Sequence, residues 1–147
     1  MISSDYIVGL TDGEGCFYVN IRLPDKRYSR SKHGVATHFY LKMKEEELDL
    51  LKKVKRFFGY GAIYFQRDKR KNHTSCYRYE INSQRDVHEV LIPFFDTHPL
   101  KSSKKRDYLI FRKIAKLVKE KKHREEEGLN KIVKLKSKMN LGARPVR

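Results

Sequence analysis

The feature that most constrains the fold is the stretch at residues 6–15, Tyr-Ile-Val-Gly-Leu-Thr-Asp-Gly-Glu-Gly. Helical spacing places Gly9 and Gly13 on one face, four residues apart. Glycine inside a helix costs roughly 1 kcal/mol relative to alanine, so two glycines on one face indicate that a second backbone packs closely there. Asp12 and Glu14 arrive where the helix ends, and strand-like residues follow at once. The stretch therefore predicts a short helix that turns directly into a β-strand.

Length and charge limit the classes of function. The chain has 147 residues and a net charge of +16, from 34 Lys and Arg against 18 Asp and Glu. The length suits one domain, 1–147, with a core at about 3–120. The excess charge is concentrated in residues 101–147, which hold 17 basic and 5 acidic residues, so 121–147 is expected to form a basic helical extension. Such a balance favours nucleic acid as the partner, ahead of an anionic membrane surface.

Other patterns exclude further classes. Cys16 and Cys76 have neither the spacing of a zinc site nor that of a disulfide framework. The chain has no run of 18 apolar residues and no start typical of a signal peptide, so we expect no membrane association and a reducing, intracellular location at DNA. The sequence does not distinguish a prokaryotic cytoplasm from an organelle matrix.

Hydrophobic periodicity predicts the remaining elements. Alternation with a period of two predicts half-exposed strands, and apolar residues at helical spacing predict helices. The strands are expected at 17–23, 35–44, 63–66 and 76–81, and the helices at 45–58, 86–96, 103–122 and 129–140, with Pro93 bending or shortening its helix. This order predicts an α+β fold with a four-stranded antiparallel sheet. Helices cover one face, and the other is polar, basic and aromatic.

The first stretch also carries a specific resemblance. Residues 7–15 resemble the LAGLIDADG motif of homing endonucleases position for position, and the consensus letters are matched at Gly9, Leu10, Asp12 and Gly15. Glu14 keeps the carboxylate of the consensus aspartate, and Thr11 is the loosest match. The resemblance covers roughly residues 3–120. It implies an αββαββα fold of the single-motif type, with a saddle-shaped sheet whose concave face lies in the DNA major groove.

Glu14 has two interpretations. Without the family it is as readily a solvated turn acid. The resemblance implies that it binds a divalent metal together with the backbone carbonyl of Gly13. Hard oxygen ligands suit Mg²⁺, which accepts one or two carboxylates plus substrate phosphate. One chain supplies one such carboxylate, so a two-fold homodimer would supply two. Asp12 is expected to close the helix end or the interface rather than bind metal. The predicted dimer interface comprises Ile7, Gly9, Leu10, Asp12 and Gly13.

Two lysines are candidate catalytic residues, although most lysines in such a basic segment are simply solvated. Family members carry a lysine at the Leu-Lys start of this helix, which Leu100-Lys101 resembles. The extra serine at Ser102-Ser103 leaves the register relative to the family open, so Lys104 is also a candidate. Either could stabilise charge near the scissile phosphate. Where some relatives have glutamine at the end of the second strand this chain has Met43, and Lys44 could substitute.

The polar sheet face is the predicted DNA-binding surface. The alternative interpretation is an ordinary solvated face. The many exposed aromatic residues argue against that interpretation. Arginine pairs with guanine and Asn or Gln with adenine, whereas loop cations hold phosphates. A strand of about seven residues reaches roughly 23 Å, or roughly seven base pairs of each half-site. The predicted contacts are Tyr18, Asn20, Arg22, Lys26, Arg27, Tyr28, Arg30, His38, Tyr40, Lys42, Tyr64, Gln66, Lys69, Arg70, Lys71, Arg78 and Glu80. By contrast, His73, His88, His98 and His123 lack metal-ligand spacing.

The resemblance implies a homodimeric homing endonuclease, usually encoded by a mobile intron. Such enzymes cut both strands of a long, near-palindromic double-stranded DNA target across the minor groove and leave 3′ overhangs. Mg²⁺ is the expected cofactor, Mn²⁺ is expected to substitute, and Ca²⁺ to support binding without efficient cleavage. One alternative is a catalytically weak intron maturase or DNA-binding regulator; RNA is an expected partner only for the maturase. The other is a basic, ribosomal type of binding protein, which leaves the acidic glycine motif unexplained.

Overall fold

The strands form one antiparallel sheet. The computed structural model describes residues 1–24, 27 and 34–140. The strands are Gly15–Arg22 (β1), Gly34–Lys44 (β2), Ala62–Gln66 (β3) and Cys76–Ile81 (β4). All pairs are antiparallel, in the order β1-β2-β4-β3. The predicted α+β class with a four-stranded antiparallel sheet is confirmed.

Six α-helices accompany the sheet in the described part of the chain. They are Ser4–Glu14 (α1), Leu48–Phe58 (α2), Gln84–Asp86 (α3), Ile92–Thr97 (α4), Lys104–Lys119 (α5) and Glu126–Lys136 (α6). A 3-10 turn at Glu45–Glu47 precedes α2, and another at Lys122–Arg124 precedes α6. None of these helices has the length and apolarity needed to cross a membrane.

Local sequence explains where two helices begin and end. The Ser3 hydroxyl caps α1 by accepting from the backbone N–H of Tyr6 at 3.1 Å, as expected of an N-cap serine. Gly59 ends α2 with a left-handed conformation, φ 78°, which costs glycine no steric penalty. Both ends are encoded by neighbouring residues, so they were accessible from sequence.

The predicted helix at 86–96 is wrong in detail, because it is divided. A π-helical turn, Val87–Leu91, separates α3 from α4. Within it the N–H of Ile92 donates to the carbonyl of Val87, five residues back. Pro93 follows and has no N–H to offer the carbonyl four residues before it. A bend or early end at Pro93 was expected, whereas the π-helical turn was not.

The hydrophobic core lies between the sheet and the helices. Phe17 of β1 is fully buried, and its ring centroid lies 5.2 Å from those of Phe39 and Phe111 and 5.3 Å from that of Tyr108. These rings come from two strands and from α5, so a single aromatic cluster joins the two layers.

The helices cover the β3 edge of the sheet only in part. Strand alternation places Phe65 on the same face as Ile63, towards the helices, but its side chain is 52% exposed. Among the aromatic pairs of the described residues, its ring contacts only that of Tyr77. Alternation therefore predicts the face of Phe65 but not its burial.

Candidate nucleic-acid interface and metal centre

The junction between α1 and β1 positions Glu14. The helix ends at Glu14 and the strand begins at the next residue, with no loop between them. The N–H of Gly15 donates to the carbonyl of Thr11. A Cβ at Gly15 would lie 2.7 Å from the Thr11 methyl group, so a larger residue would force the junction open. The tight turn leaves the Glu14 side chain exposed at the end of the helix.

Asp12 ties this junction to the start of α5. Its carboxylate accepts from the N–H of Lys101 at 3.0 Å, and from the N–H and hydroxyl of Ser102 at 3.1 and 2.6 Å. Burial by itself would raise the pKa of Asp12, but these hydrogen bonds and the nearby Lys104 charge hold its pKa below the usual 3.8. Asp12 therefore closes the end of α1 against a segment about ninety residues away, one of the two roles expected of it.

The two candidate lysines occupy different environments. The Lys104 ammonium donates to the carbonyl oxygen of Gly15, immediately after Glu14 in the chain. Lys101 is exposed, and within the part of the chain that the structure describes its ammonium has no hydrogen-bond or ion-pair partner. Its backbone, rather than its side chain, reaches the junction through Asp12. The fold therefore brings Lys104 to the Glu14 junction and leaves Lys101 outside it.

The two faces of α1 have opposite environments. Ile7 is fully buried in the core of its own chain, so its predicted place in a dimer interface is wrong: no surface remains for a second copy to touch. Gly9 and Gly13 are exposed, and a Cβ at either position would meet no other described residue within 4 Å. Tyr6, 46% exposed, shares this face but was missed by sequence reasoning. We name the face formed by Tyr6, Gly9, Leu10 and Gly13 the glycine face.

The open face of the sheet carries the predicted DNA contacts in two groups. The residues that are well exposed are Tyr18, Asn20, Arg22, Lys42 and Tyr64, and those that are half-buried are His38, Tyr40, Gln66, Arg78 and Glu80. In the loops, Arg27, Lys69, Arg70 and Lys71 are exposed. Lys26, Tyr28 and Arg30 lie outside the described residues. The open face thus combines cations, amides and aromatic rings.

Arg70 is held within its own turn. Its guanidinium donates twice to Asp68, at 3.0 and 2.8 Å. The side-chain hydrogen bond from Arg70 is also the main reason that the pKa of Asp68 lies well below its usual range. The pair lies within the β3–β4 turn and is accessible to solvent. Because solvent screens such ion pairs, it contributes little stability.

The C-terminal segment adds contacts that periodicity did not reveal. The Asn140 amide donates to the carbonyl of Phe17 at 3.1 Å, and its backbone N–H donates to Asp107 at 2.9 Å. The Lys136 ammonium of α6 lies 5.3 Å from the ring centroid of Tyr18. The end of α6 is therefore folded against β1. No local signal marks Asn140 for this role, because both partners are distant in sequence.

The described residues of one copy can be compared with the ligand sets that metal ions need. Among the residues that the structure describes, no group of three or more His, Cys, Asp or Glu side chains is close enough together to hold a metal ion. Burial lowers the pKa values of His88 and His123, which favours their neutral forms. Glu14 is therefore a single exposed carboxylate.

Comparison with known proteins identifies the family. Residues 7–115 match the family model described as LAGLIDADG endonuclease. The chain is similar to the probable intron-encoded endonucleases 3 and 2 of Neurospora crassa, with 34% and 31% identity over 91% and 92% of this chain. It covers only 24% and 27% of those proteins, so it spans about a quarter of the length of these relatives.

Solved structures show the same fold. The homing endonuclease I-TnaI matches with a TM-score of 0.80 and 31% identity, over 96% of this chain and 90% of that one. I-SmaMI, bound to an uncleaved DNA target in the presence of calcium ions, matches with a TM-score of 0.82 and 34% identity. The match covers 95% of this chain but 45% of I-SmaMI. The motif lies at the α1–β1 junction, the family model matches most of the chain, and the solved structures share its fold. The chain therefore belongs to the LAGLIDADG endonuclease family.

Proposed function

We propose that this chain is a site-specific homing endonuclease that acts as a homodimer and makes a metal-dependent double-strand break in a long, near-palindromic DNA target. The observation that carries the proposal is the exposed Glu14 carboxylate at the end of a helix whose adjacent face is bare glycine. The family match and the DNA-bound structures of I-SmaMI support DNA as the substrate.

The glycine face supports the dimer. Glycine in the middle of an exposed helix face costs stability, and among the described residues nothing approaches Gly9 or Gly13 to compensate for that cost. A second helix packed there would approach closely and bring the two Glu14 carboxylates together. One copy covers 90% of I-TnaI but only 45% of I-SmaMI, so two copies provide about the length of one I-SmaMI chain.

The donor set fits a hard divalent cation. Glu14 offers an exposed carboxylate, and the Gly13 carbonyl belongs to the last turn of α1, where an α-helix leaves carbonyls without intrahelical donors. In the dimer these groups would hold Mg²⁺, with Mn²⁺ as a substitute and Ca²⁺ supporting binding more than cleavage. The metal supplies charge stabilisation at phosphorus and an activated water. I-SmaMI has been solved with calcium ions and uncleaved DNA.

Lys104 is the lysine we place in the catalytic site. Its ammonium already contacts the Gly15 carbonyl next to Glu14, so it is close to where the scissile phosphate would lie. A fixed cation there would stabilise developing negative charge. I-SmaMI variants with one or two lysines replaced by alanine have been solved, which supports testing lysine in this family.

The test compares Glu14→Gln with Asp5→Asn. Both remove one acid from α1 at an exposed position, but only Glu14 lies at the junction with β1. The DNA would be the sequence that flanks the open reading frame, joined as in an intronless allele. Plasmid nicking by Glu14→Gln is expected to fall by roughly two orders of magnitude or more, whereas Asp5→Asn should cut normally. Gel shifts should show that both still bind the target.

Two results would change the proposal. If Glu14→Gln cuts at the wild-type rate, the carboxylate is structural and the mechanism is wrong. If the wild-type protein binds the duplex but never cuts it with Mg²⁺ or Mn²⁺, the maturase or regulator alternative replaces the endonuclease.

A further inference from the structure

A polar cluster occupies the middle of the open sheet face. Glu80 on β4 has a side chain that is only 10% exposed. Its carboxylate accepts from the Arg78 guanidinium at 2.9 Å and from the Asn82 amide at 3.0 Å. His38 Nδ1 lies 3.3 Å from Oε1 of the same carboxylate, although not in hydrogen-bond geometry. Both Glu80 oxygens are thus engaged within the protein.

Arg78 is held on two sides. Its guanidinium carbon lies 3.7 Å from the ring centroid of Tyr40, and one terminal nitrogen is bound by Glu80. Tyr40 is half-buried, and burial, then a hydrogen bond with Cys16, raise its pKa to about 12, so the ring beside Arg78 is a neutral phenol. An arginine normally loses rotamer freedom when it binds. Here most of that freedom is already lost in the free chain.

The surroundings of Arg78 do not favour a purely stabilising role. Lys42 lies directly opposite Arg78 in the β2–β4 register, and like charges directly opposite each other destabilise a sheet. The Nε of Arg78 is buried, yet it has no hydrogen-bond partner among the described residues. An orphaned buried donor also costs free energy. A negatively charged partner rich in acceptors, placed on this face, would offset the repulsion between the Lys42 and Arg78 cations.

We infer that Arg78 is a specificity-determining residue that reads one guanine in each half-site, and that Glu80 is a positioning residue that holds Arg78 over Tyr40. This inference rests on the proposed DNA-binding function. Guanine offers O6 and N7 as a pair of major-groove acceptors. Arginine has five N–H donors, and Glu80 engages one terminal nitrogen, so enough donors remain for a bidentate contact. Glu80 therefore acts through Arg78 and touches no base.

Base preference is the readout that separates this role from a structural one. We would select binding sites from randomised duplexes, scored by binding rather than cleavage, with the wild-type chain and with Arg78→Lys and Arg78→Gln. Lysine keeps the charge but loses the planar fork. Both variants should lose roughly tenfold or more of the preference for guanine at one position of each half-site. Thermal unfolding would confirm that each variant is folded. If Arg78→Gln does not fold, Arg78→Lys alone provides the test.

Glu80→Gln tests the positioning role. It should reduce preference at the same base position by a few-fold, since Arg78 is still present but no longer held, and leave the other positions unchanged. The matched control is Asp68→Asn, which removes the carboxylate from the other arginine pair, Arg70 with Asp68, in the β3–β4 turn. Asp68→Asn should alter affinity for all sequences alike, without altering base preference.

The outcomes distinguish the inference from the proposed function. Unchanged base preference in both Arg78 variants overturns the reading role. A Glu80→Gln effect at a different base position, or none, overturns the positioning role. A wild-type chain that selects a sequence but does not cut it overturns the endonuclease proposal and leaves this inference testable. A wild-type chain that selects no duplex sequence overturns both.

Discussion

The two faces of the sheet differ in how completely the chain buries their side chains and pairs their polar groups. On the covered face, Phe17 and Phe39 are fully buried and pack against helix side chains. On the open face, Tyr18 and Tyr64 are 39% and 49% exposed, and Arg78 keeps a buried nitrogen without a partner among the described residues. α1 repeats the contrast, with Ile7 buried on one side and the glycine face open on the other. The chain completes its core by itself, whereas its open surfaces are the ones on which the proposed contacts with DNA and a second copy depend.

The largest expected effect comes from adjacent residues on opposite faces of β1. Phe17→Ala should destabilise the fold by about 3–5 kcal/mol, since it empties the centre of the aromatic cluster. Tyr18→Ala should change the free energy of unfolding by less than about 1 kcal/mol but weaken DNA binding. Urea unfolding and gel shifts on both variants measure the difference. Equal loss of stability in the two variants would mean that the open face is also part of the core.

An intermediate effect is expected on the glycine face. Gly9→Leu has room within one chain, so the monomer should be as stable as wild type or gain up to about 1 kcal/mol from helix propensity. The added side chain should nevertheless keep two α1 helices apart and abolish dimerisation, as measured by sedimentation. Lys113→Leu on α5 controls for the general effect of an added exposed leucine. A Gly9→Leu variant that sediments as an active dimer contradicts the proposed interface.

The smallest effect should come from the hydrogen bonds between Asp12 of α1 and the residues just before α5. Asp12→Asn is expected to cost about 1 kcal/mol at neutral pH, because it weakens three charge-assisted hydrogen bonds that are partly exposed. The folded-state pKa of Asp12 is lowered, so its contribution is present above the unfolded pKa of 3.8 and is lost as pH falls through the folded value. Unfolding of wild type and variant at pH 7 and below pH 4 should therefore show a shrinking difference. A difference independent of pH would contradict the assignment.

Sequence by itself determined the features that depend on neighbouring residues. The period-two strands gave the order and class of the fold, and the motif at residues 7–15 identified the family that the comparison then confirmed. These signals survive without tertiary information, because dihedral preferences, capping and side-chain alternation act over a few residues. The catalytic, metal-binding and DNA-contacting roles remain predictions.

Only the tertiary structure decided which distant groups meet. Ile7 and Gly9 are two residues apart, yet one is buried and the other open, because the core covers only one side of α1. The contact of Lys104 with Gly15, 89 residues away, distinguished it from the other candidate, Lys101. The Arg78–Glu80 pair could be read from strand alternation as two separate base contacts, but the Tyr40 stack and the Asn82 bond make them one unit. Such contacts depend on packing between elements far apart in the chain, and no local pattern encodes them.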